Sequence, residues 1–178
     1  MVIRSPRRRR TSIRLAHFAA THVGRVRHSN QDDHGFAEDL CVLADGMGGH
    51  RGGEVAAALA VSTTLARFNG SSRIGLVRAV VAANRAIMER SLVDENLLGM
   101  GTTIYAIAAV VGESGLDGLA VVNVGDSRVY HYSSGVLVQV TEDHSLVADL
   151  VRAGDLTAEE AARHPQRNIL TRALGIED

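Results

Sequence analysis

The run Cys41-Val42-Leu43-Ala44 has no polar break and passes straight into Asp45-Gly46-Met47-Gly48-Gly49-His50. A short continuous apolar segment that ends in glycines reads as a strand buried on both faces. Such a strand belongs inside a layered sheet, not at a solvated edge. Its last side chain is a carboxylate, which is costly at the end of a buried strand unless its charge is compensated. The glycines that follow let backbone approach and expose a carbonyl, that of Gly46, to an ion. Oxygen ligands of this kind suit Mg2+ or Mn2+ and not zinc. Taken alone, Asp45 reads equally well as a turn aspartate capping the helix that begins near Gly52.

The patterns on either side set the architecture. Ile13 to His22 reads as a strand, then comes the polar loop Arg25-Val26-Arg27-His28-Ser29-Asn30-Gln31-Asp32-Asp33, then a short strand from His34 to Glu38. Two helices follow. Val55, Ala58, Leu59, Ser62, Leu65 and Ala66 recur at helical spacing in the first, and Val77, Val80, Val81, Asn84, Ile87 and Met88 in the second. Ser71 and Ser72 are candidate caps for the second helix, and Asn96 to Met100 reads as a loop. Gly101 to Gly112 and Leu119 to Gly125 are apolar strands around a Gly115-Leu116-Asp117-Gly118 turn, and two more strands flank Ser133-Ser134-Gly135. His144 to Ala153 and Thr157 to Arg163 read as a helix pair, with Thr157 and Glu160 spaced as a capping box. Asn168 to Leu174 begins another strand. The order does not alternate strand and helix singly, which argues against a doubly wound parallel sheet. It predicts an α+β fold, an antiparallel β-sandwich flanked by helix pairs.

Bulk properties narrow the function classes. The 178 residues fit one domain, and the formal net charge of −1 sets up no global field for nucleic acid or membrane. All the charged basic residues are Arg. Residues 1–12 hold five of these arginines and almost nothing to bury, so they read as a disordered basic arm ahead of a domain over 13–178. A solvated tail is the preferred reading of that arm over a nucleic-acid contact or a kinase site at Thr11 or Ser12. The lone Cys41 rules out an internal disulfide and reads as a buried, inert thiol, which fits a reducing cytoplasmic setting. No apolar run is long enough to span a bilayer.

Arg27 presents a planar fork suited to phosphate oxygens, and Gln31 and Asp32 are placed to hold metal-bound water. By itself that loop reads equally as a surface turn with a local salt bridge. Asp126, in Gly125-Asp126-Ser127-Arg128, is a third acidic strand end, or a tight turn capping its own amides. Other phosphate chemistries lack their parts. Met47 stands six residues after Cys41 where a cysteine phosphatase needs Arg, no second aspartate follows Asp45 by two, and a P-loop is impossible without Lys. Hydrolysis by a metal-activated water remains.

Seven ordered blocks carry a resemblance: Gly24 to Asp33, Leu43 to His50, Gly53 to Ala56, Gly99 to Thr103, Val124 to Arg128, Thr141 to Ser145 and His164 to Gly175. Together they resemble the metal-dependent type 2C protein Ser/Thr phosphatases (PPM family) in their compact bacterial form. The resemblance implies a β-sandwich flanked by helix pairs, with two or three Mn2+ or Mg2+ ions at one end. It implies that Asp45 bridges two metals, that Gly46 gives its carbonyl, that Gln31 and Asp32 hold the second metal's water shell, and that Asp126 ligates a third. It implies that Arg27 binds phosphate and that residues of about 144–168 form a flap beside the cleft. A phosphorylated protein substrate and a partner Ser/Thr kinase are also implied, and no membrane or nucleic-acid partner is. The general acid is unassigned. Met47 replaces the histidine many relatives have after the D-G pair, His50 is a candidate, and a metal-bound water serves equally.

The family pattern continues past Ala173-Leu174-Gly175 into strands with two further metal-binding aspartates. This chain ends at Asp178, so the domain is expected to be incomplete at its C-terminus. Two functional classes stand: a fragment of an active phosphatase, or a short, catalytically weak homologue that binds phosphoproteins. Nucleic-acid attachment by the arginine arm is a third.

Overall fold

Two antiparallel strands, β1 (Asp32–Ala37) and β2 (Leu40–Met47), form the framework on which the acidic residues sit. The computed structural model describes residues 11–47, 52–70, 72–112 and 114–176. Strand β2 runs through Asp45 to Met47, so Asp45 lies within the ladder instead of at the strand's end. Leu40, Val42, Ala44 and Gly46 point to one buried face, and Cys41, Leu43 and Asp45 to the other.

Two helices cover the buried face, α1 (Gly52–Arg67) and α2 (Arg73–Val93). After a short 3-10 turn at Glu95–Leu97 come β3 (Gly101–Thr102), β4 (Ile104–Val111) and β5 (Asp117–Val124). The sheet is antiparallel in the order β1-β2-β4-β5, with β3 added to the end of β2. Strands β6 (Tyr130–Ser133) and β7 (Val136–Gln139) make a separate ribbon, followed by α3 (Leu146–Ala153) and α4 (Ala158–Arg163). This is the expected α+β arrangement: antiparallel strands, a long helix pair, more strands and a short helix pair. The capping box at Thr157 and Glu160 is formed as its spacing predicts.

The helix faces differ from those expected. In α1 the buried stripe is Gly53, Ala56, Ala57, Ala60, Val61 and Thr64. In α2 it is Leu76, Ala79, Val80, Ala83 and Ile87, while Val77 and Val81 are exposed. Alanine packs against the sheet because its small side chain lets a helix axis come close. The larger Val55, Leu59 and Leu65 fill the margins. Complete burial of Leu40, Leu76, Ile87 and Ile104 contributes about 1.5–3 kcal/mol each. Ser72 caps α2 by accepting from the Gly75 amide; Ser71 lies outside the described residues.

Two expected strands are not formed. Ile13 to His22 alternates in burial as a strand would, but among the described residues it pairs with no neighbour in a ladder. Side chains tie it down instead. Arg14 meets Glu38 at 2.6 Å, His17 Nε2 lies 3.0 Å from the Ala37 carbonyl oxygen, and the His17 ring stacks on Phe36. Just before it, Thr11 is buried, and the Ser12 amide donates to Asp117 at 2.6 Å. The rest of the arm, 1–10, lies outside the described residues. Asn168 to Leu174 makes only isolated bridges, Leu170 to Ser145 and Leu174 to Thr102. Cys41 is half-buried, and burial raises its thiol pKa, consistent with an unreactive thiol.

Candidate active site

The β1–β2 register puts Asp32 directly opposite Asp45. Strand alternation sends both carboxylates to the face away from α1. It sends Asp33 to the helix side, where a side chain at Gly35 would meet Leu65 and Val61. Only one member of the Asp32-Asp33 pair therefore belongs to the site. Like charges opposed on neighbouring strands are destabilising, and a cation between them removes that cost.

Although Asp45 keeps solvent access, its surroundings raise its pKa above the ordinary carboxylate range. Partial burial is the main cause, then the Asp32 charge, with a smaller push from Asp126; Arg27 pulls the other way. Arg27, Gln31, Asp45, Gly46 and Asp126 line one open cleft of about 820 Å3. Asp32 stands at its rim, fixed by the Thr21 hydroxyl, which donates to Oδ2 at 3.1 Å, and by the Asn30 side chain, which accepts from its amide at 3.2 Å. All six sequence-predicted site residues thus lie in one neighbourhood. His50 and the adjoining Gly48-Gly49 lie outside the described residues.

His28 and Met47 also line the cleft, but Gln31, Asp45, Gly46 and Asp126 bring carboxylate, side-chain amide and backbone oxygens of the kind that fit Mg2+ or Mn2+. Among the described residues no three of His, Cys, Asp and Glu converge as a ligand set. A cation here depends on the Asp32–Asp45 pair with neutral oxygens and water.

Glycines bring α1 against the end of β2. A methyl at Gly46 would overlap the Gly53 carbonyl oxygen, and one at Gly53 would lie 2.8 Å from the Gly46 carbonyl carbon. The Gly46 amide donates to the Gln31 carbonyl at 3.0 Å, which fastens the loop that carries Arg27 to the same point.

Three residues with no role in the sequence reading hold the acids in place. Thr103 Oγ1 accepts from the Asp45 amide at 3.1 Å, its amide donates to the Asp45 carbonyl at 2.9 Å, and its hydroxyl lies 3.0 Å from the Ser127 hydroxyl. Thr102 Oγ1 donates to the same carbonyl at 3.0 Å. His144 Nδ1 accepts from the Gly125 amide at 3.1 Å, and the His144 amide donates back to Gly125 at 2.9 Å, which clamps the turn before Asp126. Burial, then Arg172 and Arg152, lower the His144 pKa, the direction that favours the neutral ring this acceptor contact needs. The available signal was the buried Thr-Thr pair inside an apolar strand, where a hydroxyl needs a partner.

Thr103→Val keeps the volume and strands the Asp45 amide. The expected loss is about 1–3 kcal/mol of stability, together with weaker Mn2+ binding, read by thermal denaturation with and without metal.

The protein phosphatase 2C family model matches residues 21–176. The chain is 41% identical over 170 residues to the serine/threonine phosphatase stp of Listeria monocytogenes, covering 88% of this chain and 66% of that protein. It superposes with a TM-score of 0.77 on the PPM Ser-Thr phosphatase MsPP from Mycobacterium smegmatis in complex with cacodylate, at 43% identity, over 89% of this chain and 66% of that one. The catalytic domain of the phosphatase PstP in complex with two manganese ions matches with a TM-score of 0.72 at 38% identity, over 85% of this chain and 63% of that one. The chain therefore spans just under two thirds of the length of such relatives. Among the described residues no helix is long and apolar enough to cross a membrane. With the opposed aspartates, Arg27 in the same cleft and a match over most of its length, this chain belongs to the protein phosphatase 2C family.

Proposed function

We propose that this chain is the catalytic part of a protein Ser/Thr phosphatase that hydrolyses phosphoserine and phosphothreonine monoesters with Mn2+ or Mg2+. One observation carries the reading: Asp32 is opposed in register to Asp45, which lines a cleft together with Arg27 and Asp126. When bound, a pair of such ions supplies Lewis acidity toward the phosphoryl group and acidifies a water.

The chain's own residues do the rest. Asp45, with Asp32, Gln31 and Gly46, would hold the pair of ions, and Asp126 a third. Arg27 forks onto the phosphoryl oxygens, orients the phosphorus and offsets its charge. Thr102 and Thr103 fix the Asp45 backbone, so that its carboxylate does not have to reorganise during the reaction. Asn168, at the end of the 144–168 segment, and Leu170 just beyond it line the cleft, which supports that segment as the flap beside the substrate. A phosphorylated protein is the substrate, and a Ser/Thr kinase that makes it is the natural counterpart, in a cytoplasmic setting.

Manganese-dependent turnover of p-nitrophenyl phosphate and of a phosphothreonine peptide tests the reading. Arg27→Ala is expected to lower kcat/KM by about 10- to 100-fold on both, the loss of one charge-assisted fork. The dearth of clustered ligands among the described residues favours a second reading, a phosphoprotein-binding module. That reading predicts phosphopeptide retention with no metal-dependent turnover.

A further inference from the structure

On the outer side of the helix pair, away from the cleft, α1 and α2 enclose a groove of about 870 Å3. Arg67, Arg78 and Arg85 line it, all exposed. None of the three makes an ion pair among the described residues, whereas Arg14, Arg90, Arg128 and Arg152 all do. The groove's one acid, Glu89, is a turn beyond Arg85 and leaves it unpaired; acid after base is the weaker order for such a pair along a helix. Three like charges in one groove repel each other in the free protein, and an anionic occupant relieves that.

Between the arginines α2 offers the aliphatic Val81, Ala82 and Ala86, and Ser62 and Thr63 line the α1 side. Val81 is 61% exposed in the groove, and Val77 and Ile74 continue the same face of α2. We propose that this groove docks an acidic segment of a partner protein, with carboxylates on the arginine forks and small aliphatic side chains against Val81. Arg78 and Arg85 are two turns apart, about 10 Å along the helix. Carboxylates three residues apart on a polyproline-II segment lie on one side about 9 Å apart, which matches that spacing.

The groove has no aromatic ring for base stacking and no large apolar wedge for a bilayer, so peptide is favoured over nucleic acid or lipid. It lies about 20 Å along α1 from Gly53, so an occupant leaves the cleft free. The inference is independent of the catalytic reading.

A short fluorescein-labelled peptide repeating Glu-Ala-Val, titrated with the full chain and followed by anisotropy, tests it. Arg78→Glu with Arg85→Glu is expected to weaken binding about tenfold or more. Arg78→Gln with Arg85→Gln should give an intermediate loss, and Arg163→Glu on α4 none. Circular dichroism confirms that each variant is folded. Unchanged peptide affinity in the charge-reversed variant overturns the proposal. So does stronger arginine-dependent capture of phosphatidylglycerol vesicles or single-stranded DNA than of the peptide.

Discussion

Asp45→Asn is expected to lower metal-dependent phosphatase turnover by roughly a thousandfold or more while the fold survives. Two effects separate in this one variant. The amide loses the charge that would hold the ions, so the Tm rise on adding Mn2+ should vanish. For a metal present at a hundred times its dissociation constant, that rise corresponds to about 2.7 kcal/mol in the wild type. Without metal, the same change removes the repulsion across Asp32 and Asp45, so the metal-free variant should be more stable, by about 1 kcal/mol or less. The pH dependence follows from the raised Asp45 pKa. Between the ordinary carboxylate pKa and the raised value, the folded state binds more protons than the unfolded state, so stability falls as pH rises through that window. In Asp45→Asn this part of the slope should disappear. Metal-free melts of the two proteins across the acidic range read the sign directly, and turnover retained near the wild-type level would remove Asp45 from the mechanism.

Gly46→Ala is expected to cost about 3 kcal/mol or more, a Tm drop of about 10 °C. Its methyl would overlap the Gly53 carbonyl oxygen and lie 2.8 Å from the Gln31 carbonyl oxygen. Both are backbone atoms, so no rotamer change relieves the clash, and α1 must move away from β2. Asp45 is the adjacent residue, so metal binding should fall with stability. Gly118→Ala is the matched control: the added methyl meets nothing within 4 Å, and a change under about 0.5 kcal/mol is expected. Equal melts for the two variants would mean that β2 and α1 are not held at this contact.

The sequence was most informative where chemistry is local. The acids and Arg27 occupy short segments whose residue types limit what they can do, and the cleft brings those segments together. Element order was legible for the same reason, since glycine turns and alternating runs act within a few residues. The errors arose where packing decides. Hydrophobicity picked Leu59 and Val81 for the helix interiors, but approach distance favours Ala56, Ala60 and Ala83. Periodicity also cannot tell an extended segment with ladder partners from one without, so Ile13 to His22 read as a strand. Asp32 is named from its loop without Asp33, and the register supplies the physical reason, pairing Asp32 and not Asp33 with Asp45. Thr103 matters through contacts with Asp45 and Ser127, both far away in sequence.

A helix that meets its sheet through methyl groups has no slack to absorb enlargement. Exchanging Ala57 or Ala60 for a bulkier neighbour type would lever α1 outward along its whole length, and the end that carries Gly53 would leave Gly46. Drift in this part of the chain is therefore confined to outward positions such as Ala58 and Ser62. Tolerance to substitution should follow a period of 3.6 residues, in step with a cleft that those helix positions never touch.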